Sequence, residues 1–262
     1  MNRTSGTSAE PLYIGVSTKM YLGYQESLRW LSEVRAVVDA RPALGRAVRV
    51  FVIPSFPVLA AAGEILAGSP VLLGAQNCAW GDGPLTGEVG PGMLAELGVS
   101  LVELGHAERR AHFGEDDGVV ARKVRAAVDA GLTPLLCIGE QGRTGPEEAA
   151  GVCLSQVRAA VAGDEALVRR LVLAYEPVWA IGADQPAAPD YVNAVVALVR
   201  EGLGAACPII YGGSAGPGLL PQLTAVDGLF LGRFAHDAGN LGRVLDEALQ
   251  TLAPASSSSS RS

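Results

Sequence analysis

A beat of strand-like run, polar loop and helix-like stretch recurs along this chain and leaves few folds open to it. The apolar runs fall at residues 12–16, 48–53, 71–75, 101–104, 134–138, 171–174, 208–211 and 229–231. Each is short and mostly apolar, as strands of a parallel sheet covered on both faces are. Between them the spacing predicts helices over about 25–39, with Leu28, Leu31 and Val38 on one face, then an Ala-rich one ending near Gly68. Further helices are expected over about 118–130, 146–161 and 190–201, briefly after Pro217, and up to about 252. A Gly/Pro-rich loop at 77–91 is long enough to have a role of its own. Eight such units within 262 residues, 49% of them hydrophobic, fit an α/β fold closed as a single (β/α)8 barrel better than an open doubly wound sheet. No dinucleotide glycine fingerprint follows the first run. The expected barrel spans residues 11–253, after a flexible N-terminal extension at 1–10 and before a disordered Ser-rich tail at 254–262.

Such a barrel carries its chemistry where strands run out at their C-terminal ends. Lys19, His106 and Glu176 all stand at such ends. Glu176 follows an apolar run and precedes Pro177, which bars the helical region for the residue before it and aims the carboxylate. The next residues, Val178-Trp179-Ala180-Ile181-Gly182, are too apolar for a solvated loop and read as a lid that closes over a ligand. The plainer alternative is a surface glutamate beside a tryptophan packed on the barrel wall. Taken together with the other strand ends, Glu176 reads as a general base.

Charge and cysteine usage narrow the partners. A net charge of −7 argues against nucleic acid and against an anionic membrane, so an anionic substrate would need a local cationic site. No run of 18 apolar residues exists and the first ten lack a signal-peptide core, which makes the cytoplasm the expected location. Cys78, Cys137, Cys153 and Cys207 form no C-x-x-C pair, and His106, His112 and His236 form no ligand pair beside cysteines, so no metal is expected. Cys137 is read as core, and His112 and His236 as structural or exposed.

Five motifs in order carry a family resemblance: Leu104-Gly105-His106-Ala107-Glu108-Arg109-Arg110, Cys137-Ile138-Gly139-Glu140, residues 174–182, Tyr211-Gly212-Gly213-Ser214 and Gly228-Leu229-Phe230-Leu231-Gly232. Over roughly residues 12–252 the chain resembles the triosephosphate isomerases, which implies a TIM barrel and proton transfer through an enediol(ate) with no cofactor. By that resemblance Glu176 is the base and His106 the neutral electrophile near a short helix's N-terminus, as is documented for this family. The same resemblance makes Lys19 the electrostatic clamp and Glu108 the acid that buffers it. Backbone N–H groups at Gly182, Ser214, Gly232 and Arg233 would hold the phosphate. Gln76, Thr86 and Glu88 belong to a loop that resembles the family's dimer loop, with Thr86 approaching the partner's active site and Glu88 pairing with the partner's Arg109. A homodimer follows.

The chain also departs from the family's usual pattern. Ser17-Thr18-Lys19 stands where Asn-Trp-Lys is usual, which leaves extra room beside the substrate at Ser17. Ala183-Asp184-Gln185-Pro186 alters the lid's second hinge. Arg233 replaces a glycine, and its side chain either adds an ionic phosphate contact or points to solvent. The first-ranked reading is interconversion of dihydroxyacetone phosphate and D-glyceraldehyde 3-phosphate, as in glycolysis and gluconeogenesis. The alternative is the same chemistry on a four-carbon ketose phosphate, L-erythrulose 1-phosphate and D-erythrulose 4-phosphate, and the tetrulose-phosphate isomerases resemble this chain in carrying Gly-Arg at the last phosphate loop. A non-catalytic sugar-phosphate-binding relative, motivated by the altered hinge, ranks third.

Overall fold

Eight parallel strands close on themselves in chain order. They are β1 (Leu12–Ser17), β2 (Val48–Ile53), β3 (Leu72–Ala75), β4 (Leu101–Leu104), β5 (Thr133–Ile138), β6 (Val172–Tyr175), β7 (Ile209–Tyr211) and β8 (Gly228–Leu231). The seam is β1 on β8, with Tyr13 opposite Gly228 and Val16 opposite Leu231. This computed structural model describes residues 10–204 and 207–253; the expected tail and all but the last residue of the expected extension lie outside the described residues.

Two cores explain why the strand runs are apolar throughout. Alternate residues point inward, and Phe51, Ile53, Leu101, Leu135, Cys137, Val172, Ala174, Ile210 and Phe230 fill the barrel itself. Their neighbours, such as Val50, Val52, Leu136 and Leu173, pack outward against the helices in a second cluster. Phe51 enters the interior only because Gly15 on the adjacent strand has no side chain there; a Cβ at Gly15 would collide with the Phe51 ring.

The helices are α1 (Tyr24–Asp39), α2 (Leu59–Leu66), α3 (Pro91–Glu96), α4 (Ala107–Phe113), α5 (Asp117–Asp129), α6 (Pro146–Val161), α7 (Pro189–Leu203) and α8 (Ala238–Leu252). The stretch after Pro217 is a correction to the sequence reading. Only a single 3-10 turn, Leu220–Gln222, forms there, where Pro221 and a Gly-rich approach leave no length for a full helix. The short α3, at the end of the long loop, is an addition to that reading. Another 3-10 turn, Arg233–His236, separates Gly232 from α8. Trp30 of α1 is buried and donates from Nε1 to the Ala235 carbonyl at 2.9 Å, tying the first helix to that turn. All four cysteines are buried as free thiols, and no described helix is long and apolar enough to cross a membrane.

Candidate active site

The strand ends converge on a cavity of about 450 Å³ bordered by Ser17, Lys19, Glu103, His106, Glu108 and Glu176, with the lid residues 181–184 and the loops after β7 and β8. Glu176, the residue after β6, is buried, and its backbone N–H donates to the Ile138 carbonyl at 2.8 Å. The backbone around it leaves no slack, because a Cβ at Gly212 would strike the Glu176 carboxylate and one at Gly139 would strike its carbonyl. Cys137, read as core, does lie in the barrel interior. Burial, then the charge of Glu103, push the Glu176 carboxyl up to about 8, against the pull of Lys19.

His106 caps the N-terminus of α4. Its Nδ1 accepts the Glu108 backbone N–H at 3.1 Å, so the ring's proton sits on Nε2. That Nε2 lies 3.5 Å from Glu176 Oε2 and 3.9 Å from Glu103 Oε1. Burial and the nearby Lys19 charge, opposed by Glu108, lower the imidazole to about 4. A neutral ring with its N–H facing the carboxylates of the cavity wall can donate a hydrogen bond and does not act as a titrating base near pH 7.

Lys19 takes a positive φ of 46°, a conformation that a side-chain-bearing residue rarely adopts. Its carbonyl accepts from Ser55 Oγ at 2.8 Å and from Gln76 Nε2 at 2.7 Å, which hold the strained turn in place. Its Nζ pairs with Glu108 Oε1 at 2.5 Å. Burial opposes the lysine's charge, but the hydrogen bond and charge of Glu108, with Glu176 and Glu103, outweigh it and raise its pKa.

The lid is tied at both ends. Glu140 accepts from Trp179 Nε1 at 2.7 Å and from the hydroxyls of Tyr191 and Tyr175, which anchors the lid's first hinge on the motif after β5. Beyond the second hinge, the Ala187 N–H donates to the Tyr211 hydroxyl at 2.9 Å, and Ser214 Oγ donates to the Ala180 carbonyl at 3.0 Å. Gly182 and Ser214 both have positive φ, 68° and 51°. With Gly232 and Arg233 they border the same cavity. The Arg233 guanidinium lies over the Tyr21 ring, 5.8 Å from its centroid, at the cavity's rim.

The residues of the long loop divide. Gln76 serves its own chain's site through Lys19, whereas Thr86 and Glu88 are exposed and stand apart from the cavity of their own chain. Arg109 already pairs with Glu115 at 2.5 Å, and Glu115 pairs with the buried Lys123, whose Nζ also donates to Asn77 Oδ1 at 2.9 Å. Sequence reasoning missed Glu103, which is buried in the cavity wall and accepts a 2.9 Å hydrogen bond from Ser17 Oγ. The available signal was a lone carboxylate in the otherwise apolar run Leu101-Val102-Glu103-Leu104, since a charge on a doubly covered strand is costly without a purpose.

Removal and return of a proton beside a carbonyl is the chemistry that an aimed carboxylate, a neutral imidazole and a fixed cation support together, and it is the work of a sugar isomerase. Comparison with known proteins narrows that class. The triosephosphate isomerase family model matches residues 12–248. L-erythrulose-1-phosphate isomerase of Pectobacterium atrosepticum is 48% identical over 256 residues, covering 92% of this chain and 97% of that protein. Its namesake from Rhizobium meliloti is 40% identical over 259 residues, covering 94% of this chain and 100% of the relative. The crystal structure of triosephosphate isomerase from Bartonella henselae superposes with a TM-score of 0.77 at 31% identity, over 90% of this chain and 98% of that one. The chain belongs to the triosephosphate isomerase family.

Proposed function

We propose that this protein interconverts L-erythrulose 1-phosphate and D-erythrulose 4-phosphate. The observation that carries this reading is its similarity, at 48% and 40% identity across nearly whole chains, to relatives that bear the name L-erythrulose-1-phosphate isomerase. They reverse the order in which the sequence ranked the two substrates. Triose phosphate is the second reading, favoured by the family model and by the Bartonella henselae structure, and a place in glycolysis or gluconeogenesis goes with it.

In the proposed reaction Glu176 takes the proton from the hydroxyl-bearing carbon next to the ketone and returns it to the carbon that was the ketone. His106 donates from Nε2 to the oxygen that gains charge and passes the hydroxyl proton from the one oxygen to the other, and Lys19 stabilises the enediolate that forms between the two steps. The phosphate sits against the backbone N–H groups of Gly182, Ser214, Gly232 and Arg233, so a protein of net charge −7 can bind a dianion. Arg233 would add an ionic contact from the rim. The chemistry calls for no cofactor or metal.

A homodimer completes the reading. The exposed Thr86 and Glu88 would reach a second copy, and Arg109, although held by Glu115, keeps guanidinium donors for the partner's Glu88. A cytoplasmic location suits a phosphorylated sugar, and the acidic surface gives nucleic acid or an anionic membrane nothing to bind. Phosphorus and proton NMR of L-erythrulose 1-phosphate with the protein in deuterated water tests the activity. Conversion to D-erythrulose 4-phosphate with solvent deuterium at the newly protonated carbon is expected; recovery of unlabelled starting material would reject it.

A further inference from the structure

Two carboxylates face one imidazole nitrogen, and the proposed chemistry uses only one of them. Glu176 Oε2 and Glu103 Oε1 lie 3.5 Å and 3.9 Å from His106 Nε2. Glu103 comes from β4 and reaches the cavity wall beside Ser17 of β1, which is itself buried. Ser17 Oγ donates to Glu103 Oε2, which orients the carboxyl, while Oε1 has no hydrogen-bond partner among the described residues. Burying a carboxyl beside a catalytic carboxylate is unfavourable for both groups. Such an arrangement is expected to persist where it meets a group that the substrate brings.

A four-carbon substrate brings one. Relative to dihydroxyacetone phosphate, L-erythrulose 1-phosphate has a hydroxymethyl in place of one hydrogen on the carbon farthest from the phosphate. Its added hydroxyl loses water in the closed site and needs a partner there. We infer that Glu103, oriented by Ser17, accepts a hydrogen bond from this terminal hydroxyl and thereby selects a four-carbon over a three-carbon substrate. The inference rests on the proposed isomerisation and names the residue pair that reads the length of the substrate. Discrimination follows from the empty case: a triose phosphate leaves Oε1 facing the site without a partner, the situation by which sites built for a hydroxyl reject the analogue lacking it. Burial pushes Glu103 up to about 7, against the Ser17 hydrogen bond and the Lys19 charge, and the carboxyl keeps an acceptor lone pair whether or not it carries a proton.

The test is the selectivity ratio, kcat/KM for L-erythrulose 1-phosphate over kcat/KM for dihydroxyacetone phosphate, in the full chain and in Glu103→Leu, Glu103→Gln and Ser17→Ala. Removing the acceptor in Glu103→Leu should lower the ratio by about 10- to 100-fold, the worth of a hydrogen bond to a charged group. Glu103→Gln keeps a carbonyl acceptor and should lose less, and Ser17→Ala should lower the ratio because the carboxyl is no longer oriented. A purely structural role for the pair would lower both substrates together and leave the ratio unchanged, which would overturn the inference. Should Glu103→Leu fail to fold, Glu103→Gln and Ser17→Ala still decide it through the same ratio. An unaltered protein that does not turn over L-erythrulose 1-phosphate at all would sink the proposed function and this inference with it; one that does, with a ratio unmoved by the variants, would sink the inference alone.

Discussion

Glu176 Oε2 lies 3.5 Å from His106 Nε2, with both side chains buried where β6 and β4 run out at the same mouth of the barrel. A carboxylate and an imidazole N–H placed so close can serve two neighbouring atoms of one small substrate, which is what moving a carbonyl by one carbon requires.

Shortening the base tests that geometry. Glu176→Asp withdraws the carboxylate by one methylene without removing its charge, so substrate affinity should change little. Turnover should fall by about 10²-fold, the cost of an ångström-scale misplacement. Steady-state kinetics separate the two, and an unchanged kcat would remove Glu176 from the mechanism.

Gly212→Ala moves the same carboxylate from the other side. Gly212 has no positive φ to protect, so the new methyl acts through its collision with the Glu176 carboxyl. A drop in kcat of about 10- to 100-fold is expected, with the melting temperature close to that of the unaltered protein. Full turnover would show that the carboxylate has room to move aside.

Much of this is legible in the residues alone, because both barrel cores leave their mark on the strands. A strand such as β5, with Leu135 and Cys137 inward and Leu136 and Ile138 outward, is apolar at every one of these positions. Lys19, His106 and Glu176 stand out as polar residues just where such runs end. The short α3 does not, because Pro91–Glu96 is under two turns and shows no period. Glu103 reads as part of an apolar run; its contact with Ser17 spans 86 positions in the chain, a pairing that only the closed barrel reveals.

The pH dependence has a worked sign. Glu176 must be ionised to act, and burial followed by the Glu103 charge raises it to about 8, so kcat/KM should climb as pH rises toward that value. His106, lowered to about 4, adds no limb near neutrality. Removing the like charge in Glu103→Gln should move the Glu176 limb to lower pH; a limb that stays put would show that the two carboxyls do not interact. Folding carries the same linkage. Because the carboxyls of Glu103 and Glu176 are raised from 4.5 to about 7 and 8, the folded form binds more protons than the unfolded one between those values. Their stabilising contribution is present in full below 4.5 and is lost as pH rises through about 7 and 8. Urea unfolding across this range reads it, and in Glu103→Gln the slope should be shallower.

Lys123 joins the long loop to the barrel. It is buried and pairs with Glu115 while donating to Asn77, so Lys123→Met leaves the buried Glu115 carboxylate with Arg109 alone as its cation and Asn77 without its donor. A loss of about 1–3 kcal/mol in urea unfolding is expected, the cost of leaving buried polar groups short of a partner while Arg109 still offsets the charge of Glu115. A loss below about 1 kcal/mol, the range of exposed pairs, would show that water reaches Glu115.

The most direct measurement is kcat/KM of the purified, unaltered protein with L-erythrulose 1-phosphate and with dihydroxyacetone phosphate under one set of conditions. The account predicts a preference for the four-carbon substrate of about 10²-fold or more, since a site built around a hydroxyl rejects the analogue that lacks it. Equal or better turnover of the triose phosphate would contradict it.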